Sequence, residues 1–154
     1  MMIRTLTAAA VLALTGGAAL AQDTPEAVAE AYLAAYQAQD FAALEALYAE
    51  DAVFIDPTSE TVPGIGGPFD WAGREAILAG IRGWGATHLE YTIDRSYSAS
   101  GHVVFDGAVA AIYETQTGSV AYRYPIITIV TVEDGHVTEH RDYTDFSGMT
   151  QEAR

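Results

Sequence analysis

Residues 24–57 read TPEAVAEAYLAAYQAQDFAALEALYAEDAVFIDP. Thr24, Pro25 and Glu26 make a helix start: a hydroxyl cap, a residue with no amide hydrogen to orphan, and an acid at the positive end of the dipole. Val28, Tyr32, Ala35 and Tyr36 then recur at helical spacing. Asp40 can cap a second helix, to which Phe41, Leu44, Leu47 and Tyr48 give an apolar face. Ala52 to Asp56 alternates and is rich in β-formers, and Pro57 ends it. The stretch thus predicts helix, helix, strand, with Tyr32 and Asp56 set in otherwise apolar segments.

Downstream, Thr58 to Asp70 contains PGIGGPFD and reads as a loop longer than most connections, of the kind that forms lids or rims. A third helix is expected over roughly Ala72 to Gly83, closed by Trp84 and Gly85, with Ile77, Leu78 and Ile81 on one side. From His88 the chain reads as strands: HLEYTIDRSYS, HVVFDGAVAAIYETQ, AYRYPIITIVTV and HVTEHRDYTDF. Asp134-Gly135 is a hairpin signal between the last two. The tail from Met149 to Arg154 is expected to be loose. Helices first and antiparallel strands after is an α+β order. A curved sheet with helices on its concave side leaves a cavity between them.

Upstream, residues 1–21 begin MMIR, continue with a small apolar run and end Ala19-Leu20-Ala21, the pattern of a secretory signal peptide cleaved before Gln22. The run is shorter than a membrane span needs and is broken by Gly16 and Gly17. The expectation is a mature domain of residues 22–154, periplasmic or secreted, with no membrane attachment after cleavage. There is no cysteine, which excludes thiolate chemistry, and all seven basic residues are arginine, which excludes a lysine Schiff base. A net charge of −14 opposes binding to nucleic acid or anionic lipid, both of which need clustered positive charge. The four histidines, at 88, 102, 136 and 140, have no metal-ligand spacing, so neither metal nor cofactor is expected.

The opening stretch, AGREAIL and VEDGHVTEHRDYTDF, in that order, together resemble the nuclear transport factor 2-like superfamily in its SnoaL-like branch. The resemblance implies a cone-shaped α+β barrel, its N-terminal helices packed on a curved, mostly antiparallel sheet that encloses a pocket. Within that superfamily the opening resembles Δ5-3-ketosteroid isomerase. Tyr32 then falls at the oxyanion-hole tyrosine, Asp56 at the general-base aspartate, and Tyr48 at a tyrosine supporting the first. The second oxyanion donor of that enzyme is an aspartate, and Ile127 stands at its place. Relatives that hydrolyse limonene-type epoxides carry arginine and aspartate one residue apart on a middle strand, where this chain offers Tyr113 and Glu114. SnoaL-type polyketide cyclases use an acid on the late strands, for which Asp142 could serve.

In the last long strand Thr138, His140, Asp142 and Thr144 share one face. The isomerase resemblance turns that face inward, to the cavity of Asp56 and Tyr32. It also turns Ile127 and Arg123 inward, leaving Tyr122, Tyr124, Ile126 and Thr128 as an apolar outer face for a homodimer. The mechanism this suggests has Asp56 as general base and Tyr32, backed by Tyr48, as donor to a developing enolate. His140 and Asp142 either pair, fixing the imidazole tautomer, or share proton transfer. Tyr48, Arg123, Ile127 and Trp71 are expected to contact the ligand, a small apolar molecule with a carbonyl or hydroxyl. The competing readings are structural: Asp56 caps the turn at Pro57, Tyr32 is a core aromatic, and His140 with Asp142 is a structural pair. Two function classes follow, a cofactor-free isomerase, cyclase or dehydratase, and a non-catalytic module that binds a small ligand or dimerises.

Overall fold

A computed structural model describes residues 24–61 and 67–154. The signal-peptide expectation and residues 62–66 of the long loop lie outside the described residues. In chain order the elements are α1 (Pro25–Ala38), α2 (Phe41–Leu47), β1 (Tyr48–Asp56), a 3-10 turn (Pro57–Thr61), β2 (Phe69–Ala72), α3 (Arg74–Trp84), β3 (His88–Ala99), β4 (His102–Thr115), β5 (Gly118–Glu133), β6 (His136–Thr144), a second 3-10 turn (Phe146–Gly148) and β7 (Thr150–Ala153).

The predicted caps form. Thr24 Oγ1 accepts from the Ala27 amide at 3.3 Å and Asp40 Oδ1 from the Ala43 amide at 3.1 Å. Gln39 closes α1 in the left-handed region, so the chain turns at once into α2. Asp134 and Gly135 both take positive φ, as a two-residue hairpin turn between β5 and β6 requires.

The strands form one mixed sheet in the order β2-β1-β6-β5-β4-β3, with β7 beside β5. The β1–β6 pair is parallel and the other pairs are antiparallel. The sheet is curved but not closed. Part of its bend has a visible cause: Ile93 pairs with Gly107 and Arg95 with Asp106, so Asp94 is an extra residue in β3. A Cβ on Gly107 would lie 2.0 Å from the Thr92 carbonyl oxygen, so only glycine lets the bulged backbone approach there.

The core lies between the concave face and the helices. Val28, Tyr32, Leu33 and Tyr36 of α1 and Ile77, Leu78 and Ile81 of α3 are buried there with Phe54 of β1 and Val130 of β5. A small second cluster, Ala110, Ile112 and Ala121, is buried on β4 and β5. The Arg154 guanidinium, at the end of the tail, bonds to Glu90 on β3 at 2.7 Å, reaching across β5 and β4.

Three expectations are corrected. The tail is not loose: β7 pairs Val120–Arg123 with Ala153–Thr150 in β-register. The long connection is not all loop, because Pro57–Thr61 forms a 3-10 turn and Phe69–Ala72 pairs with β1. On β5 the faces are exchanged. Ile126 and Thr128 are buried and Tyr124 lines the cavity, whereas Ile127 is 40% exposed. The alternation of a strand then places Arg123 with Ile127 on the convex side. A one-residue error in register inverts every side chain, and the isoleucine run of β5 has no polarity to show which face is inner.

Candidate functional site

The cavity between helices and sheet has a volume of about 280 Å³. Its walls are largely aromatic: Tyr36 from α1, Phe69 from β2, Trp84 from α3, Tyr91 from β3, Tyr113 from β4, Tyr124 from β5 and Phe146 beyond β6. Two carboxylates, Asp56 and Asp142, reach it, with Thr144 beside them. Among the described residues no arginine lines it. Among the described residues no three of His, Asp and Glu come together as a metal-binding group.

The two acids meet because β1 and β6 run parallel. Phe54 pairs with His140 and Ile55 with Arg141. Asp56 and Asp142 each lie two residues beyond the first pair, so they occupy neighbouring positions on one face. Both are nearly inaccessible, at 5% and 4% exposure.

Asp56 has two different oxygens. Oδ1 accepts from the Thr58 amide at 2.9 Å, the Thr58 hydroxyl, and the Ser59 amide at 3.1 Å, which holds the 3-10 turn after Pro57. Among the described residues Oδ2 has only a long 3.5 Å contact from the Thr144 hydroxyl. The capping and functional readings of Asp56 are therefore compatible, one on each oxygen. Burial pushes the Asp56 carboxyl above its ordinary value, the Thr58 hydroxyl opposes this, and the neighbouring Asp142 charge adds to the rise.

Asp142 ends a buried relay. Its Oδ1 accepts from the Thr128 hydroxyl at 2.6 Å, and Thr128 Oγ1 lies 3.2 Å from the Tyr91 hydroxyl. Its Oδ2 lies 2.9 Å from Nε2 of His140, a fully buried imidazole. That contact is short, but the ring N–H does not align with the oxygen as a hydrogen bond would. On the far side, Nδ1 of His140 lies 2.5 Å from the Tyr32 hydroxyl, which is the same distance from the Tyr48 hydroxyl. A bare Nε2 lone pair would repel the carboxylate, so the favoured tautomer carries its proton on Nε2. Nδ1 then accepts from Tyr32, and Tyr32 accepts from Tyr48.

The expected residues therefore divide into three groups. Asp56 and Asp142 line the cavity. His140, Tyr32 and Tyr48 are fully buried behind its wall, where His140 faces Asp142 and the Tyr32 and His140 rings pack against Tyr36. Tyr32 is thus not placed to touch a ligand, because His140 occupies its hydroxyl. Arg123, Ile127 and Trp71 do not line the cavity. The first two face outward. Trp71 packs on α3, where a Cβ on Gly80 would meet its ring at 2.5 Å, and against Phe54 at 5.1 Å between centroids.

The aromatic wall escaped the sequence reading, Tyr36, Trp84, Tyr91 and Tyr124 above all. Tyr36 carried a signal, one helical turn after Tyr32 on the same stripe. Burial pushes the Tyr36, Tyr91 and Tyr124 phenols up, with the Asp142 charge contributing, so they stand as neutral donors.

Several solved structures share this fold. A protein of Shewanella putrefaciens CN-32 assigned as a SnoaL-like polyketide cyclase superposes with a TM-score of 0.69 at 19% identity, covering 94% of this chain and 95% of that one. An epoxide hydrolase of the LEH-like type from M. tuberculosis gives 0.63 at 24% identity, over 79% and 83% of the two chains. A protein of ketosteroid isomerase-like fold from Catenulispora acidiphila, solved in complex with trimethylamine, gives 0.62 at 22% identity, over 82% and 90%. No curated protein matches the sequence significantly. The model of the SnoaL-like domain matches residues 29–140, from the middle of α1 to the histidine behind the cavity, and the chain belongs to the SnoaL-like domain family.

Proposed function

We propose that this protein is a cofactor-independent acid–base enzyme acting on a small, mostly apolar carbonyl compound. The observation that carries the reading is the pair of buried carboxylates, Asp56 and Asp142, side by side in a cavity lined mostly by aromatic and aliphatic side chains. Burying two acids together is costly unless their proton affinities are used, and such pairs are where acid and base roles separate.

Isomerisation, aldol cyclisation and β-elimination from a carbonyl compound share one first step. Oδ2 of Asp56 takes a proton from the carbon next to the carbonyl. The C–H electron pair becomes the C=C bond of the enolate and the carbonyl π pair moves onto oxygen. The same carboxyl then returns the proton to another carbon, or gives it to the oxygen of a second carbonyl that the enolate carbon attacks, or gives it to a β-hydroxyl that leaves as water while the enolate reverts to the carbonyl. Burial raises the Asp56 carboxyl toward the proton affinity such a shuttle needs. Asp142, held by Thr128 and faced by His140, supports the second proton position.

The test is α-proton exchange of 2-tetralone in D2O, followed by NMR. Exchange accelerated by the wild type and lost in Asp56→Asn supports the reading. Exchange at the buffer rate with wild-type protein overturns it.

A second reading has one observation in its favour. Aromatic walls and two carboxylates without a lining arginine also suit a small organic cation, which would make the protein a binding module. Calorimetric titration with trimethylammonium chloride separates the readings, since only the second predicts saturable heat.

The proposal includes export and a homodimer. Export is supported by the composition of residues 1–21 and predicts Gln22 as the mature N-terminus, read by N-terminal sequencing of cell-envelope protein. A dimer through the convex face would use Ile127 and Tyr143, which are cross-strand partners and both exposed. Light scattering of Ile127→Arg checks it, with a monomer expected.

A further inference from the structure

We propose that Tyr36, not Tyr32, donates the hydrogen bond to the substrate's carbonyl oxygen, an assignment that rests on the carbonyl-substrate reading above. The Tyr32 hydroxyl has one proton, and His140 Nδ1 and the Tyr48 hydroxyl already stand at bonding distance on either side of it. The Tyr91 hydroxyl is engaged by Thr128. Tyr36 is different: it is 2% exposed and lines the cavity, yet among the described residues its hydroxyl has no hydrogen-bond partner.

Among the described residues the one fully buried side-chain nitrogen or oxygen without a partner is His140 Nε2, so the Tyr36 oxygen is not sealed in the protein but opens on the cavity, where a ligand atom can meet it. A phenol can donate to an oxygen or accept from one. Next to two carboxylates, an acceptor-only carbonyl oxygen is repelled unless a donor meets it, and a neutral tyrosine is that donor. Burial keeps the phenol protonated at any ordinary pH.

The ring is also held well enough to aim its hydroxyl. It stacks on Tyr32 at 5.9 Å between centroids with 12° between planes. The His140 ring meets it edge-on at 4.9 Å and Trp84 at 6.4 Å. Tyr32 and Tyr48 thereby become positioning residues: they fix His140, and with it the floor on which Tyr36 rests. Tyr113 on β4 and Tyr124 on β5 also have hydroxyls without a hydrogen-bond partner among the described residues, but both are less buried than Tyr36.

The probe is 2-tetralone, whose carbonyl only accepts, with tetralin as the analogue lacking oxygen. The infrared carbonyl band of bound 2-tetralone reports the hydrogen bond directly. With wild type the band should lie below its position in hydrocarbon solvent, and 2-tetralone should bind more tightly than tetralin. In Tyr36→Phe the band should return toward the hydrocarbon position. The preference over tetralin should fall by about three- to tenfold, the worth of one hydrogen bond, and proton exchange by roughly a hundredfold. Thermal melting should stay near wild type, because the ring is kept. Tyr32→Phe should leave the band unchanged. A band that moves in Tyr32→Phe or Tyr124→Phe but not in Tyr36→Phe overturns the assignment alone. Absence of saturable 2-tetralone binding to wild type overturns it together with the carbonyl reading.

Discussion

At the scale of single residues, Asp56 holds the turn after Pro57 through one oxygen and also lines the cavity. Asn keeps an oxygen for the Thr58 and Ser59 amides, whereas Ala leaves both donors without it. Asp56→Ala should therefore lower stability by about 1–2 kcal/mol, measured by urea denaturation, while Asp56→Asn should not. The pH dependence has a definite sign. The folded Asp56 carboxyl lies above its ordinary value of 3.8 because burial disfavours the charge. Its contribution to stability is thus fully present below 3.8 and is lost as pH rises through the folded value. Asn does not titrate, so Asp56→Asn should gain in melting temperature relative to wild type between pH 3 and pH 7. A constant difference across that range would show that Asp56 is not desolvated. The relay predicts a cost at its other end. Tyr32→Phe leaves Nδ1 of a fully buried histidine without its hydroxyl partner, and about 1–3 kcal/mol of stability should go with it, read in the same denaturation experiment.

At the scale of elements, the strands at the chain's end do more than their sequence suggests. β7 contributes a short ladder to β5, and Arg154 adds the bridge to Glu90 across the sheet. Deleting residues 150–154 should free the edge of β5 at Val120–Arg123 and expose part of the Ala110–Ile112–Ala121 cluster. The expected result is a lower melting temperature with proton exchange on 2-tetralone retained, since none of these residues lines the cavity. The bulge on β3 predicts the reverse sensitivity. Gly107→Ala places a methyl against the Thr92 carbonyl, which backbone must move to accommodate. The cost should be about 1–3 kcal/mol, and the curvature that shapes the cavity should change with it, which a ligand titration would detect as weaker binding.

For the whole molecule the charge balance matters most outside the cavity. A net charge of −14 at neutral pH repels itself across the surface, and salt screens that repulsion within about 8–10 Å at physiological strength. Melting temperature should therefore rise between 20 mM and 300 mM sodium chloride, and a fall would mean that attractive pairs such as Arg154–Glu90 outweigh the repulsion. What the sequence determines by itself are the local features. Caps at Thr24 and Asp40, the Asp134-Gly135 turn and the apolar alternation of β1 depend on residues a few positions apart, so helices and strands were legible. So was the place of Asp56, an acid at the end of an apolar strand that the structure sets at the cavity. The inward turn of Thr138, His140, Asp142 and Thr144 was instead implied by the family resemblance and holds for the last three, Val137 being buried in place of Thr138. Tertiary structure alone decides the rest. The parallel β1–β6 register puts Asp56 beside Asp142 across 86 residues of chain. A buried histidine engages the Tyr32 hydroxyl, while Tyr36 lines the cavity. The isoleucine run of β5 looks the same from either face until neighbouring strands choose one. Each of these is a long-range contact, and no local propensity encodes a distance between strands.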